Sequence, residues 1–255
     1  MKYWLVGTVA AFSLIAIAHA QDATVKIGTE ADYAPFEYKD ATGQLKGFEI
    51  ELGNALCARA KLQCEYVNMD FDGLIPALGA HKIDAALSQM SITPERAKSV
   101  LFTSPVTSVE GRFIAPKGSG LSDDPATLKG KTIGVQSGTT HETYANQKLK
   151  GIAEIKVYQG QDQAFADLQA GRIDATLCDE TIGYDWLQKA GKDGYEFIGK
   201  PLTDKAIFGD GTGIALRKED TALAAKLNDA LASLIKDGTY QKLNAEYFPF
   251  SIAPK

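Results

Sequence analysis

The sequence predicts an α/β protein of two similar lobes, each a mixed, mostly parallel sheet flanked by helices, joined by two hinge crossings. Three observations carry this. Short apolar runs alternate with helical runs that present one apolar face, the order of parallel strands connected by covering helices. Two segments, Leu78-Gly-Ala-His-Lys-Ile-Asp-Ala-Ala-Leu-Ser88 and Leu168-Gln-Ala-Gly-Arg-Ile-Asp-Ala-Thr-Leu-Cys178, agree at six of eleven positions, and each follows an Asp (Asp72, Asp162) at the same offset. Two extended stretches, 106–115 and 208–215, stand where the chain would pass from one lobe to the other and back.

In the first lobe, 24–29 reads as a strand and 48–60 as a helix with Phe48, Leu52 and Leu56 on one face. A strand at 63–68, a helix at 72–80 and a strand at 83–87 complete a βαβαβ order. The second lobe repeats it with strands at 132–135, 155–158 and 175–178 and helices at 140–148 and 162–170. Lys26-Ile-Gly-Thr-Glu30 and Thr132-Ile-Gly-Val-Gln136 open the two halves alike. Two C-terminal helices, near 221–236 and 239–248 and parted by Asp237-Gly238, are expected to pack on the first lobe. The expected division is 21–108 plus 213–255 for the first lobe, 112–204 for the second, and 109–111 and 205–212 for the crossings.

Residues 1–20 have the layout of a cleaved secretory signal: Lys2, an apolar run from Val9 to Ala18, and a small-x-small ending at Ala18, His19 and Ala20. The apolar run is short against the ~20 residues of a membrane span. Export places Cys57 and Cys64 in an oxidising compartment, where a local disulfide between a helix end and a strand start is expected. Closing so small a loop stabilises by about 2 to 3 kcal/mol at most. Cys178 is then odd and reads as a buried free thiol. The chain carries a net charge of −5 and no basic stripe interleaved with aromatics, so no nucleic-acid footprint is present.

Several chemistries find no support. Gly209-Asp-Gly-Thr-Gly213 precedes a strand where a nucleotide loop needs a helix start. Neither a G-x-S-x-G elbow nor a phosphate loop occurs, and His81 and His141 lack paired metal-ligand spacing. No cofactor is expected.

The stretch Ser88-Gln-Met-Ser-Ile-Thr-Pro-Glu-Arg96 sets hydroxyls, a helix start and an arginine behind an apolar strand. Thr93 can cap a short helix, Pro94 suits its first position, and Arg96 offers a planar fork of donors, the chemistry of a carboxylate receptor. Ligands of open α/β sheets sit beyond the carboxyl ends of the strands. Those ends carry Glu30 and Tyr33, Phe71, and Ser88, Gln89, Ser91 and Arg96 in the first lobe. The second supplies Gln136, Thr139, Thr140, His141 and Asp179. Thr139 and Glu142 have capping-box spacing, so that helix could aim free N–H groups at the same anion as Arg96. Arg96 then takes a carboxylate, Asp179 an ammonium and Glu30 a further cation, with Tyr33 and Phe71 about the methylenes between, which describes a basic amino acid. The plainer alternatives are that Arg96 pairs with Glu95 on a surface, Asp179 caps the helix starting near Glu180, and Phe71 is core.

Gly28-Thr-Glu-Ala-Asp-Tyr-Ala-Pro-Phe36, Gly47-Phe-Glu-Ile-Glu-Leu52, Asp70-Phe-Asp-Gly-Leu-Ile-Pro76, the stretch from Ser88 to Arg96, and Phe208-Gly-Asp-Gly-Thr-Gly-Ile-Ala-Leu-Arg-Lys218 together resemble the periplasmic amino-acid-binding proteins of ABC importers. The resemblance covers essentially the whole chain after the signal and points to the lysine/arginine/ornithine- and histidine-binding group. It implies the two-lobed periplasmic-binding-protein fold, no catalysis, a monomer in the periplasm, and a membrane permease with its ATPase as partners. It also implies that Arg96, Ser91 and the Thr140 backbone hold the α-carboxylate and Asp179 the α-ammonium. Tyr33 and Phe71 would stack on the ligand, Ser88 and Met90 would line the pocket, and His141 would lie near the side chain. Three positions depart from the enteric relatives: Glu30 where they have Asp, Gln89 where they have Ser, and Gln136 where they have Leu. Glutamate at the first is similar to the arginine- and opine-binding relatives. A rival on the same scaffold is an enzyme resembling periplasmic cyclohexadienyl or arogenate dehydratases, with Asp179 and Glu30 supplying the acid.

Overall fold

The computed structural model describes residues 24–254. The expected signal segment lies outside the described residues.

The chain begins with β1 (Val25–Thr29), then a small sheet of β2 (Asp32–Tyr33), β3 (Glu37–Lys39) and β4 (Leu45–Lys46), followed by α1 (Phe48–Ala60). Next come β5 (Cys64–Asn68), α2 (Leu74–Gly79), β6 (Ala85–Ala86) and β7 (Leu101–Phe102). The second lobe holds β8 (Gly111–Pro116), β9 (Thr132–Gln136), α3 (Thr140–Tyr144), β10 (Glu154–Tyr158), α4 (Gln161–Gln169), β11 (Ala175–Asp179), α5 (Glu180–Gln188) and β12 (Tyr195–Leu202). The chain returns through α6 (Lys205–Phe208) to β13 (Ala215–Leu216), α7 (Thr221–Lys236) and α8 (Thr239–Tyr247).

The lobes are built on sheets of matching order, β5-β1-β6-β13-β7 and β10-β9-β11-β8-β12. In each, the first three strands pair in parallel and the last two join antiparallel. The pseudo-repeat is a repeat of register: Ile27 pairs with Ala85 and Gly28 with Ala86, as Ile133 pairs with Ala175 and Gly134 with Thr176. The same packing demands glycine in both halves. A Cβ on Gly28 would stand 2.5 Å from the Ile83 side chain, and one on Gly134 would stand 2.5 Å from Ile173, the equivalent isoleucine.

Helix α1 forms because its apolar positions fall on one face, and that face is buried against α7 and α8. Phe48 is fully buried and meets Phe36, Tyr240, Tyr247 and Phe248 at ring-centroid distances of 5.6 to 6.2 Å. The C-terminal helices thus close the first lobe, as expected. A disulfide joins Cys57 on α1 to Cys64 at the start of β5, with their Cα atoms 6.3 Å apart. Cys178 is a buried free thiol whose pKa burial pushes well above the ordinary thiol value.

The two crossings pair with each other. Thr107 bridges Thr212 antiparallel, their hydroxyls lie 2.6 Å apart, and the Val106 N–H donates to Thr212 O at 2.7 Å. Gly209 and Gly211 adopt φ of 77° and 96°, and a Cβ on them would fall 2.1 Å from Ile92 O and 2.5 Å from Thr107 O. The glycine-rich motif therefore serves close backbone passage.

Some boundaries differ from expectation. The helix expected at 72–80 begins as a 3-10 turn at Phe71–Gly73 before α2, and that expected at 140–148 turns from α3 into a π-helical Ala145–Leu149. The strand expected at 83–87 keeps only Ala85–Ala86 as ladder, although Asp84 N–H and Leu87 N–H still donate to Lys26 O and Gly28 O. The short strands β2, β4 and β7 and the long β12 carry no expectation from the sequence.

Candidate functional site

The carboxyl ends of the parallel strands in both lobes face one narrow cavity. It is lined by Glu30, Tyr33, Phe71, Ser88, Gln89, Ser91 and Arg96 from the first lobe and by Gln136, Thr139, Thr140, His141 and Asp179 from the second. Met90 is not a lining residue. Its side chain packs with Phe71, Leu74 and Val100 in the first lobe's core, because its neighbours Gln89 and Ser91 take the cavity-facing positions.

Arg96 opens a single turn, and its N–H donates to Thr93 Oγ1 at 3.2 Å, the bond expected of Thr93 as a cap. The turn itself is a 3-10 turn at Arg96–Lys98. The guanidinium does not pair with Glu95, which instead meets Lys98. It donates to Ser91 O and, across the cleft, to Gly138 O, both at 2.9 Å, and lies 5.3 Å from the Phe71 ring centroid. Burial lowers its pKa to about 10, opposed by the Asp179 charge, so it stays cationic at neutral pH. Phe71 is both core and wall.

Asp179 ends β11 and stands at the N-cap position of α5, yet its side chain makes no capping bond. That frees the carboxylate for the cavity. It accepts from the Tyr33 hydroxyl at 2.8 Å and lies 3.3 Å from His141 Nε2, which is buried without a hydrogen-bond partner. Burial, then the Asp179 charge, push the Tyr33 hydroxyl well above its ordinary pKa.

Thr139 caps α3 by accepting from the Glu142 N–H at 3.2 Å. The return bond of the capping box lands one residue early: Glu142 Oε2 accepts from the Gly138 N–H at 2.7 Å.

Two of the three positions expected to depart from the relatives' pattern bond to each other. Gln136 Nε2 donates to Glu30 Oε2 at 2.6 Å, from one lobe to the other. Burial pushes the Glu30 carboxyl up to about 7, against the lowering effect of that hydrogen bond. The third departure, Gln89, has φ of 44° and accepts through Oε1 from the Thr107 hydroxyl of a crossing at 2.8 Å. Outside the cavity, Ser137 Oγ donates to Asp72 at 2.9 Å and Gln159 Nε2 to Asp70 at 3.2 Å, so the lobes are closed on one another.

Behind the lining lie residues that the sequence does not single out. Glu37 and Glu49 are fully buried, and they hold Ser88 and Gln89 from below. Glu49 stands inside a motif quoted above and Glu37 directly follows another, but an acid next to an aromatic residue gives no local sign that it is buried.

Residues 25–250 match the bacterial extracellular solute-binding proteins, family 3. The chain belongs to that family. The lysine/arginine/ornithine-binding periplasmic protein of Escherichia coli is 46% identical over 233 residues, 90% of this chain and 89% of that one. The L-arginine-binding protein of Pseudomonas aeruginosa is 45% identical over 254 residues, 98% of each. An arginine-specific periplasmic binding protein of Salmonella typhimurium superposes with a TM-score of 0.82 at 32% identity, covering 88% of this chain and 99% of that chain. These relatives of the family 3 protein are binding proteins, not enzymes. Among its described residues, no helix is long and apolar enough to cross a membrane, and no cluster of metal-ligating side chains occurs.

Proposed function

We propose that this chain captures a basic amino acid between its lobes and delivers it to the permease and ATPase of an ABC importer. The single observation that carries this reading is the charge set of the cavity: one half-buried cation, Arg96, and two buried acids, Glu30 and Asp179. A ligand with one carboxylate and two cationic groups leaves none of them buried without a partner, and an unpartnered buried charge is costly.

In this reading Arg96, with Ser91 and the Thr140 backbone, takes the α-carboxylate, and Asp179 takes the α-ammonium. Glu30 takes the side-chain cation of arginine, lysine, ornithine or histidine. Tyr33 and Phe71 flank the methylenes, while Ser88, Gln89, Gln136, Thr139 and His141 complete the wall. Residues 1–20 direct the chain to the periplasm and are cleaved, and the protein works as a monomer. Its lobes, 21–108 with 213–255 and 112–204, close about the crossings at 109–111 and 205–212. Closure is favoured by ligand because both lobes contribute charged contacts, which supplies the differential affinity a population shift requires. An opine would add a second carboxylate with only His141 left to meet it.

Mass spectrometry of small molecules released on denaturation, followed by thermal shift with an amino-acid panel, tests the reading. A ligand at ~100 times its Kd stabilises by about 2.7 kcal/mol. Basic amino acids are expected to raise the melting temperature and acidic ones to leave it unchanged. Equal shifts with glutamine and arginine would remove the role of Glu30, and turnover of prephenate or arogenate would replace the reading with an enzyme.

A further inference from the structure

Under the cavity floor, two buried carboxyls, Glu37 and Glu49, stand side by side. The Glu49 N–H donates to Phe36 O at 2.9 Å, which brings the start of α1 against β3 and sets Glu49 beside Glu37. One oxygen of each is used from above: Glu37 Oε1 accepts from the Ser88 hydroxyl, and Glu49 Oε2 accepts from the Gln89 N–H, both at 2.8 Å. The other oxygens, Glu37 Oε2 and Glu49 Oε1, are buried without a partner. The Ser88 oxygen also accepts from the Glu30 N–H at 3.0 Å, so the pair is two bonds from a cavity acid.

Two buried acceptors can satisfy each other only if a proton lies between them. We infer that Glu37 and Glu49 share one proton and, through Ser88 and Gln89, fix the floor of the cavity in its binding conformation. They are positioning residues, since neither lines the cavity. Gln89 is where such support is needed. Its φ of 44° is rare for a residue with a side chain, and such a conformation persists only when its surroundings over-determine it. The Glu49 carboxylate on its N–H and the Thr107 hydroxyl on its side chain are those surroundings.

The ionisable groups acting on the pair are acids throughout: Glu30 on Glu37, Asp179 on Glu49, and the hydroxyls of Tyr66 and Tyr240, which Glu49 raises in turn. Burial and this company push Glu37 well above its ordinary 4.5 and Glu49 up to about 7. Raised pKa values mean that the folded chain binds more protons than the unfolded one. Their stabilising effect is full below 4.5; that of Glu49 is lost as pH rises through about 7, and that of Glu37 as pH rises through its own, well-raised value.

The binding arm of the test rests on the ligand class proposed above, and the thermal arm does not. Glu37→Gln replaces the shared proton with an amide N–H aimed at Glu49, and Glu49→Gln does the same from the other side. Each single variant of the full chain is expected to bind L-arginine within about threefold of wild type, whereas the double variant, with two NH2 groups opposed, loses more than about tenfold. Without ligand, the wild-type melting temperature falls as pH rises from 4.5 to about 7, and Glu37→Gln flattens that fall, Glu30 supplying the remainder. A single variant as impaired as the double, or a Glu37→Gln chain with the wild-type pH slope, overturns the proposal. If the double does not fold, the slope of the single variant decides. A wild type that fails to bind L-arginine but shows these slopes supports the shared proton and overturns the ligand reading instead.

Discussion

Glu30 and Gln136 meet across the cleft at 2.6 Å, an acid from the end of β1 against an amide from the end of β9. The two positions are equivalent in the pseudo-repeat. In the proposed reading their contact would tie the ligand's far end to lobe closure, because the acid that would meet a cationic side chain is also bonded across the lobes.

Glu30 makes binding sensitive to pH. Burial raises its carboxyl to about 7 from an ordinary 4.5, so in the ligand-free fold it is increasingly protonated below 7. Its contribution to ligand-free stability is complete below 4.5 and lost as pH rises through about 7. A cationic ligand needs the opposite state. Affinity for L-arginine is therefore expected to fall below pH 7, by up to about tenfold per unit, with up to one proton released per ligand bound. Calorimetry in buffers of different ionisation heat counts that proton. A flat affinity with no proton released would mean that Glu30 does not face the cation.

Arg96→Ala removes the one arginine or lysine among the described residues lining the cavity and, in the proposed reading, would leave a ligand carboxylate without its partner. Such breakage costs about 3 to 5 kcal/mol, or at least a hundredfold in Kd. Arg96→Lys restores the charge but not the fork that reaches Ser91 O and Gly138 O together, so it is expected to recover only part of the loss. Near-wild-type calorimetric affinity in Arg96→Ala would place the carboxylate elsewhere.

Much of this architecture is legible because the chain states it twice. Ile27-Gly28 and Ile133-Gly134 take the same register, and both glycines are demanded by isoleucines from the repeated Ile-Asp-Ala motif. Strand-end reasoning reaches the lining residues for the same reason, since strand order alone decides which ends face the cleft. What it cannot reach is the direction of a side chain in an irregular segment. Met90 turns into the core while Gln89, at positive φ, turns to the cavity, and no periodicity governs three residues after a two-residue ladder. The buried Glu37 and Glu49 are missed because their burial is created by partners distant in sequence.

The aromatic cluster under α1 sets the first lobe's stability. Phe48 is fully buried among four aromatic rings that link α1 to the C-terminal segment. Phe48→Ala is expected to cost about 3 to 5 kcal/mol, by lost burial and the cavity left behind. Denaturant unfolding monitors it. A cost below about 1 kcal/mol would mean that the neighbouring rings collapse into the space.

Gly138 tests closure itself. It has φ of 72°, its carbonyl receives Arg96, and a Cβ on it would stand 2.9 Å from the Asp72 Cβ and 3.1 Å from the Asp72 Cα in the other lobe. Alanine there carries a backbone penalty of about 1 to 2 kcal/mol in any lobe arrangement, plus a steric term that exists only when the lobes meet. Gly151 separates the two effects, since its φ is 80° and a Cβ there meets nothing within 4 Å. Both Gly138→Ala and Gly151→Ala are expected to lower the ligand-free melting temperature, Gly138→Ala by more where the lobes meet without ligand. Only Gly138→Ala is expected to weaken L-arginine binding, by about tenfold or more, because ligand must then close the lobes against the clash. Equal affinities for the two variants would show that ligand is held without the lobes meeting at Asp72.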